Sequence, residues 1–465
     1  MGPLEGRAAS GEAGPVGSVV EPWEDRLGRR DSRPAQSGAP KAGALKDPSA
    51  EAAAPEKIPS EVVEDRSRKL GPAGILTLAA LMCALKAGDL IALAWGGADL
   101  VARNSPSLYA LRQASANWDG HWYLGIAASG YSYLPGTDSN VAFFPVFPLA
   151  MRFVGEALSI DYLLAGSLVS VAAGLLFPLI FYRVVAARFD RQTAFRSVLL
   201  GVAFPTAFFY VLPYPESLFA LFCVAALGFG AGGPYRDEPG RSQAESFGRL
   251  DQACSVTAGF LSGMTKIFAV LLPIALLYDR LEQLSWNARR FCRSLGFGTM
   301  ARTFSPWLGL GVWSMYLWFR FGEPFAFYKA QMAGWPHSRT TVLQPVLRTF
   351  LRLFDPRPYL GGTRPDLYWA YLLDTLTVVA VVLVAVKAWR QLPRSWSIFW
   401  LGSSSLALLS GTTNSFARYQ LALFPFFVGM ALSIRSRRIF ASVAVVMAVS
   451  QLILAYLFGK GWWVG

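Results

Sequence analysis

Runs of about 20 apolar residues, the length a helix needs to cross a bilayer, recur along this chain and constrain its fold more than any other feature. The run YLLAGSLVSVAAGLLFPLIFYRVV, Tyr162 to Val185, holds a single charge, Arg183, and that near its end. Lipid cannot hydrogen-bond free backbone groups, so such runs should be helices. The two-residue alternation of a membrane barrel is absent. Composition agrees: 53% of residues are hydrophobic and only 16% charged, more apolar than an ordinary soluble protein. The fold class expected is therefore an all-α polytopic membrane protein.

Charge orients the spans. The net charge is +13, and in a polytopic protein such an excess reflects Lys and Arg in cytoplasmic loops. No nucleic-acid motif competes with that reading, so no nucleic-acid partner is expected. Residues 1–70 are rich in Ala, Gly, Pro, Ser and Glu, cannot bury enough apolar surface to order themselves, and read as a disordered cytoplasmic tail. DRSRKL, Asp65 to Leu70, then puts Arg66, Arg68 and Lys69 at the membrane edge and the amino terminus inside.

Residues 71–465 form the membrane domain, with about eleven spans of the length a bilayer requires. Two long outer loops are expected, residues 96–161 and 321–366. The segment AFFPVFPLAMRFVGEAL in the first is too short and too proline-rich to cross, and reads as an interfacial helix. Two short hairpins carry the outer tips PYPES and MTK. Cys83, Cys223, Cys254 and Cys292 are scattered without metal-ligand spacing, which reads as buried free thiols.

This topology gathers four ionisable groups on the outer side: Asp119 in the first loop, Glu216 and Lys266 in the two tips, and Arg418 in GTTNSFARYQ. Charges near membrane depth are costly and mark function by default. Arg418 and Lys266 suit a phosphate, Arg by a bidentate grip and Lys as a point charge. Asp119 suits a general base for an incoming hydroxyl. Trp118, Trp122 and Tyr123 offer flat faces with polar tips, the same features that an aromatic belt at the bilayer surface would show.

His121 reads as a hydrogen-bonding neighbour of Asp119 or of substrate. Gln331, Trp335 and His337 in the second outer loop are candidates for an acceptor site. Lys86 and Asp89, three apart on the first span, can face one another as an internal ion pair. Asp119, Asp138 and Glu216 could supply oxygens to a divalent cation, but no spacing demands one, and no metal or other cofactor is expected.

WDGHWYLGIAASGY, NVAFFPVFPLA, PTAFFYVLPYPESLFAL, SGMTKIFAVLLP and NSFARYQLALFP occur in this order. Together they resemble the PIG-V family of mannosyltransferases, over about residues 75–465. The resemblance implies the GT-C membrane glycosyltransferase fold and an inverting transfer of a hexose, mannose, from a polyprenyl-phosphate donor. The acceptor would be an extracytoplasmic hydroxyl of a glycolipid, glycan or protein. Asp119 matches the acid of the first outer loop, which is catalytic in such enzymes, and Glu216 matches the acid of the E-S-L-F tip. Lys266 stands where the family carries Arg. FGEPFAFYKAQMAGW looks like bacterial members, which implies a bacterial plasma membrane, an endoplasmic-reticulum membrane being the alternative. A carrier for a lipid-linked or anionic solute, for which Lys86 and Asp89 speak most, is the competing class. A catalytically silent scaffold is a third.

Overall fold

The computed structural model describes residues 72–102, 105–229, 244–294, 296–335, 341–355 and 365–464. The expected tail, residues 1–70, lies outside the described residues, as does His337. Regular structure among the described residues is helical. The first traverse is α1 (Pro72–Leu100). Residues 96–161, expected as the first outer loop, hold α2 (Leu108–Ser115), α3 (Asp119–Ser129) and α4 (Val146–Leu158). Then come α5 (Tyr162–Arg188), α6 (Arg191–Val202), α7 (Glu216–Gly228), α8 (Ala244–Gly263), α9 (Leu272–Gln283), α10 (Ala288–Arg293) and α11 (Phe297–Phe321). The described part of residues 321–366, expected as the second outer loop, holds α12 (Ala326–Gly334) and α13 (Leu343–Arg352). The chain closes with α14 (Pro365–Ala388), α15 (Arg394–Leu409), the short α16 (Phe416–Gln420), α17 (Pro425–Ser433) and α18 (Arg437–Gly459).

Local chemistry sets several boundaries. The Asp161 carboxylate accepts from the Leu163 and Leu164 amides and so starts α5. Asp190 does the same for α6 through the Thr193 amide. Both satisfy amides that the first helical turn leaves without partners. Gly322, at φ +72°, ends α11 in the left-handed region that glycine enters without steric cost.

Direction follows from packing. α1 and α18 run parallel: Gly88 lies on Leu452 and Gly96 on the Tyr456 carbonyl. α5 and α7 also run parallel, with Ser217 donating to the Ser170 carbonyl near one end and Gly228 against Val184 near the other. α8 and α11 are parallel too, Gly298 meeting Gln252 and Gly309 meeting the Phe260 carbonyl. α9 returns antiparallel to α11, since Trp307 donates to the Val270 carbonyl while Arg302, near the start of α11, faces Asp279 in α9. Both expected hairpins are therefore present, but in each a third helix, α5 or α11, packs against both arms.

Among the described residues, four helices are long and apolar enough to cross a membrane alone: Leu76–Leu100, Tyr162–Arg188, Leu367–Ala388 and Arg437–Gly459. Several other helical stretches are shorter, separated by non-helical or 3-10 segments at residues 203–215, 264–271 and 410–424. Breaks of this kind are tolerated where protein surrounds the backbone, and residues 203–217 are almost wholly buried. α4 fits the expected interfacial helix, exposing Leu149, Phe153 and Leu158. The four cysteines are free, but only Cys223 is buried. Cys83 is exposed on an apolar helix, where side chains turn outward to lipid as readily as inward, and Cys254 and Cys292 are exposed as well, Cys292 among the arginines of α10.

Glycine lets α8 and α11 touch. A Cβ on Gly309 would sit 2.1 Å from the Phe260 carbonyl oxygen, whereas one on Gly311 would meet nothing within 4 Å. Gly309→Ala should cost about 1–3 kcal/mol, the usual range for overpacking, and lower the melting temperature of the detergent-solubilised protein. Gly311→Ala should leave that temperature unchanged.

Candidate active site

Asp119 opens α3 and Glu216 opens α7. A carboxylate is favoured there, because the first amides of a helix present partial positive charge. Lys266 sits in the break after α8, extended at φ −153°. Arg418 lies on α16, a single turn held between two non-helical stretches.

These four side chains meet. Arg418 Nη2 lies 2.9 Å from Asp119 Oδ2, and Arg418 Nε 3.4 Å from Glu216 Oε1. Lys266 Nζ donates to the same Glu216 oxygen at 2.7 Å. The cluster is balanced, two anions against two cations, as buried charge must be. Its members are not equally reachable. The side chains of Asp119 and Lys266 are 17% and 14% exposed, those of Arg418 and Glu216 6% and 1%. One acid and one cation therefore face outward, above a cation and an acid that hold them. Glu216 Oε2 and Arg418 Nη1 are buried without a hydrogen bond, leaving polar capacity unused inside the cluster.

Aromatic rings cage the guanidinium. Its centre stands 5.2 Å from the Phe209 ring, 5.5 Å from Tyr214, 5.6 Å from Trp463 and 5.7 Å from Tyr419. These distances suit cation–π attraction. Burial pushes the Lys266 ammonium below the ordinary lysine range, with Glu216 opposing the shift and Arg418 adding to it.

The backbone is strained beside two of the four. Trp118 has φ +54° and ψ −123°, and Ser415 has φ +65°. Non-glycine residues in such conformations persist only where their surroundings impose them. For Ser415 the imposing group is Asp374 on α14, fully buried, whose carboxylate accepts from the Ala417 amide at 2.9 Å and also faces the Phe416 and Ser415 amides. For Trp118, the Tyr214 hydroxyl donates to the neighbouring Asn117 carbonyl at 3.0 Å, and Asn117 donates to the Phe458 carbonyl. Gly120 completes the turn, since a Cβ there would lie 2.3 Å from the Ser115 carbonyl oxygen.

The aromatic candidates divide. Trp118 is exposed and packs edge-on against Trp463, 4.9 Å away. Tyr123 is buried against Phe143, Phe147 and Tyr214. Trp122 stacks on Phe143 and reaches Trp335 of the second outer loop at 5.9 Å. His121 is not hydrogen-bonded to Asp119. The two are two positions apart on a helix and so point to different sides, and the imidazole is exposed beside Trp122. Gln331 is half-buried on α12. A cavity of about 650 Å3 opens between α12 and the first loop, lined among others by Tyr133, Glu323, Tyr328 and Lys329, and it includes neither Gln331 nor Trp335.

Lys86 and Asp89 pair at 2.8 Å, fully enclosed, with Gln451 donating to Asp89 and Lys86 donating to the Ala207 carbonyl. Their bonds are used internally, which ties α1 to α18 and to the chain leading to Glu216. No three His, Cys, Asp or Glu side chains gather as a metal site among the described residues.

Residues 102–239 match the family model described as Mannosyltransferase (PIG-V), a stretch that carries Asp119 and Glu216. GPI mannosyltransferase 2 of Drosophila melanogaster is 30% identical over 114 residues, 22% of this chain and 24% of that protein. The Drosophila pseudoobscura pseudoobscura protein of the same name is 29% identical over 116 residues, again 24% of its length. The chain thus spans about a quarter of the length of these curated relatives. Among solved structures, ArnT from Cupriavidus metallidurans bound to undecaprenyl phosphate aligns at a TM-score of 0.47 and 15% identity, over 82% of this chain and 63% of that one. The Archaeoglobus fulgidus oligosaccharyltransferase aligns at 0.42 and 15%, over 74% and 48%.

Asp374 is a positioning residue in this arrangement. Asp374→Ala should free the amides of residues 415–417 and cost about 1–3 kcal/mol, the penalty for stranding buried donors. Hydrogen exchange should quicken at those amides while α1 and α18 stay protected. Unchanged exchange would show that the strained turn holds itself.

Proposed function

We propose that this chain is an inverting glycosyltransferase of the GT-C type, moving mannose from a polyprenyl-phosphate donor to an acceptor hydroxyl on the outer face of a bacterial plasma membrane. The observation that carries the reading is the contact of Asp119 with Arg418, 2.9 Å apart, with Lys266 partly exposed on the same cluster. The PIG-V match over residues 102–239 supports the sugar and the reaction class. The apolar traverses support a lipid-borne donor.

The chemistry follows from the charges. The bond between the anomeric carbon and the phosphate oxygen breaks, and negative charge collects on the departing phosphate. Lys266 and Arg418 stabilise it as it forms. The acceptor oxygen bonds to the anomeric carbon from the opposite face, which inverts the centre. Its proton passes to Asp119.

The resting pair imposes an order on these events. While Arg418 holds it at 2.9 Å, the Asp119 carboxylate is occupied by the guanidinium and is not turned to an acceptor hydroxyl. A donor phosphate competes for Arg418 and loosens Asp119 as it binds. Asp119 is thus freed to meet the acceptor when the donor is in place, and transfer to water in its absence is suppressed. Glu216 stays beneath and keeps both cations aligned. The enclosed Lys86–Asp89 pair offers no open charge for a transported solute, which weakens the carrier reading.

Membranes containing the protein, incubated with radiolabelled polyprenyl-phosphate mannose and an acceptor extract, should yield labelled product. Asp119→Asn should lower kcat by at least about 100-fold, the usual contribution of a positioned base, with expression unchanged. Full activity in that variant would remove the base assignment. Uptake of the intact donor into vesicles without transfer would instead favour a carrier. The pH profile supplies a further check. Lys266 loses its proton at a lower pH than an ordinary lysine, so donor affinity should fall on the alkaline side. Lys266→Arg keeps the charge and should move that alkaline limb to higher pH, and an unmoved limb would mean that Lys266 does not hold the phosphate.

A further inference from the structure

A second basic site lies in the outer half of the molecule, apart from the four-charge cluster. α13 has two unlike faces. At 3.6 residues per turn, Leu343, Leu347, Phe350, Leu351 and Phe354 fall on one side, and all are exposed. Arg348 and Arg352, four apart, fall on the other side, together with buried Pro345 and Thr349. A helix in an outer loop of a membrane protein that exposes a continuous apolar face, with cations behind it, lies in the bilayer interface.

Behind the arginines is a cavity of about 370 Å3. Arg348, Thr349 and Arg352 line it from α13, Tyr371 from the outer end of α14, and Thr412 and Asn414 from the loop before Arg418. None of its lining residues is acidic. Arg352 donates to the Tyr371 hydroxyl at 2.9 Å and stands over that ring, which fixes its direction. The Thr349 and Thr413 hydroxyls bond at 2.6 Å, and the Asn414 amide donates to the Thr412 hydroxyl at 3.0 Å. These contacts join α13 to the strand of chain that ends in Ser415 and Arg418.

We infer that this cavity binds the phosphate headgroup of an anionic membrane phospholipid, with the lipid tails lying along the apolar face of α13. Two guanidiniums with hydroxyl donors beside them match a phosphoester, and the exposed leucine stripe matches a ligand whose remainder is in the membrane. The site is built on the loop that carries Arg418, so a bound headgroup steadies the same backbone that Asp374 holds. The assignment concerns binding alone and stands or falls apart from the transfer reaction.

The test uses the full-length protein in phosphatidylcholine nanodiscs and a short-chain phosphatidylglycerol carrying a fluorophore on its tail, followed by anisotropy. Saturable binding is expected. Arg348→Gln/Arg352→Gln should weaken it at least about tenfold, a step that corresponds to one lost charge-assisted contact. Arg348→Lys/Arg352→Lys should fall between. Arg348 is exposed, so Arg348→Gln alone should fold, and its melting temperature guards against a collapsed double variant. Unchanged affinity in the glutamine variants would overturn the site. Displacement of the probe by inorganic phosphate as readily as by unlabelled phosphatidylglycerol would overturn the lipid assignment and leave a free-anion pocket.

Discussion

The buried ion cluster around Arg418 is the constraint that the rest of the structure serves. Charges taken from water cost several kcal/mol each unless partners replace the solvent. Here the partners come from four segments far apart in sequence: the first outer loop, two tips, and the loop before α17. None of these segments could hold its charge alone. α5 packs on α3, α6 and α7, α11 packs on α8 and α9, and α14 and α15 hold α16, so each charge is carried by an element anchored in its neighbours. The cluster is also asymmetric in depth, with Glu216 sealed and Asp119 open. That asymmetry separates a structural counter-ion from a group able to meet substrate.

Holding such a cluster at the end of a helix bundle strains the chain. Trp118 and Ser415 take left-handed φ angles immediately before α3 and three residues before Arg418. Each is held by a side chain from elsewhere, Tyr214 fixing the carbonyl of Asn117 and Asp374 collecting amides of the α16 turn. Ala102, Ser159, Ser285 and Trp286 also take left-handed φ angles outside these two turns, so what marks Trp118 and Ser415 is the side chain from elsewhere that holds each beside a charge of the cluster.

The sequence carried the all-helical class, the hairpins and the four charges, because apolar run length and charge placement are local signals. Asp119, Glu216, Lys266 and Arg418 are costly wherever they lie near membrane depth, which makes them visible without structure. Their pairing was not visible: that Glu216 would bridge both cations, leaving Asp119 to Arg418, depends on side-chain reach across distant helices. The hydrogen bond expected between His121 and Asp119 is not made, because adjacency in sequence is not adjacency on a helix surface. Asp374 left a readable signal, a lone acid in the apolar run YLLDTLTVV, whose meaning appears only with the strained turn it caps. Trp463 and Phe209, which complete the cage, look like any aromatic in an apolar protein. The tail and His337 lie outside the described residues.

The reading under test is that Arg418 exchanges a carboxylate for a phosphate. A structure of the protein with a non-hydrolysable polyprenyl-phosphonate sugar measures this directly. The account predicts the phosphonate within hydrogen-bond distance of Arg418 and Lys266, with Asp119 released from Arg418 and turned toward the acceptor side. A phosphonate bound elsewhere, with the Asp119–Arg418 contact intact, would contradict it.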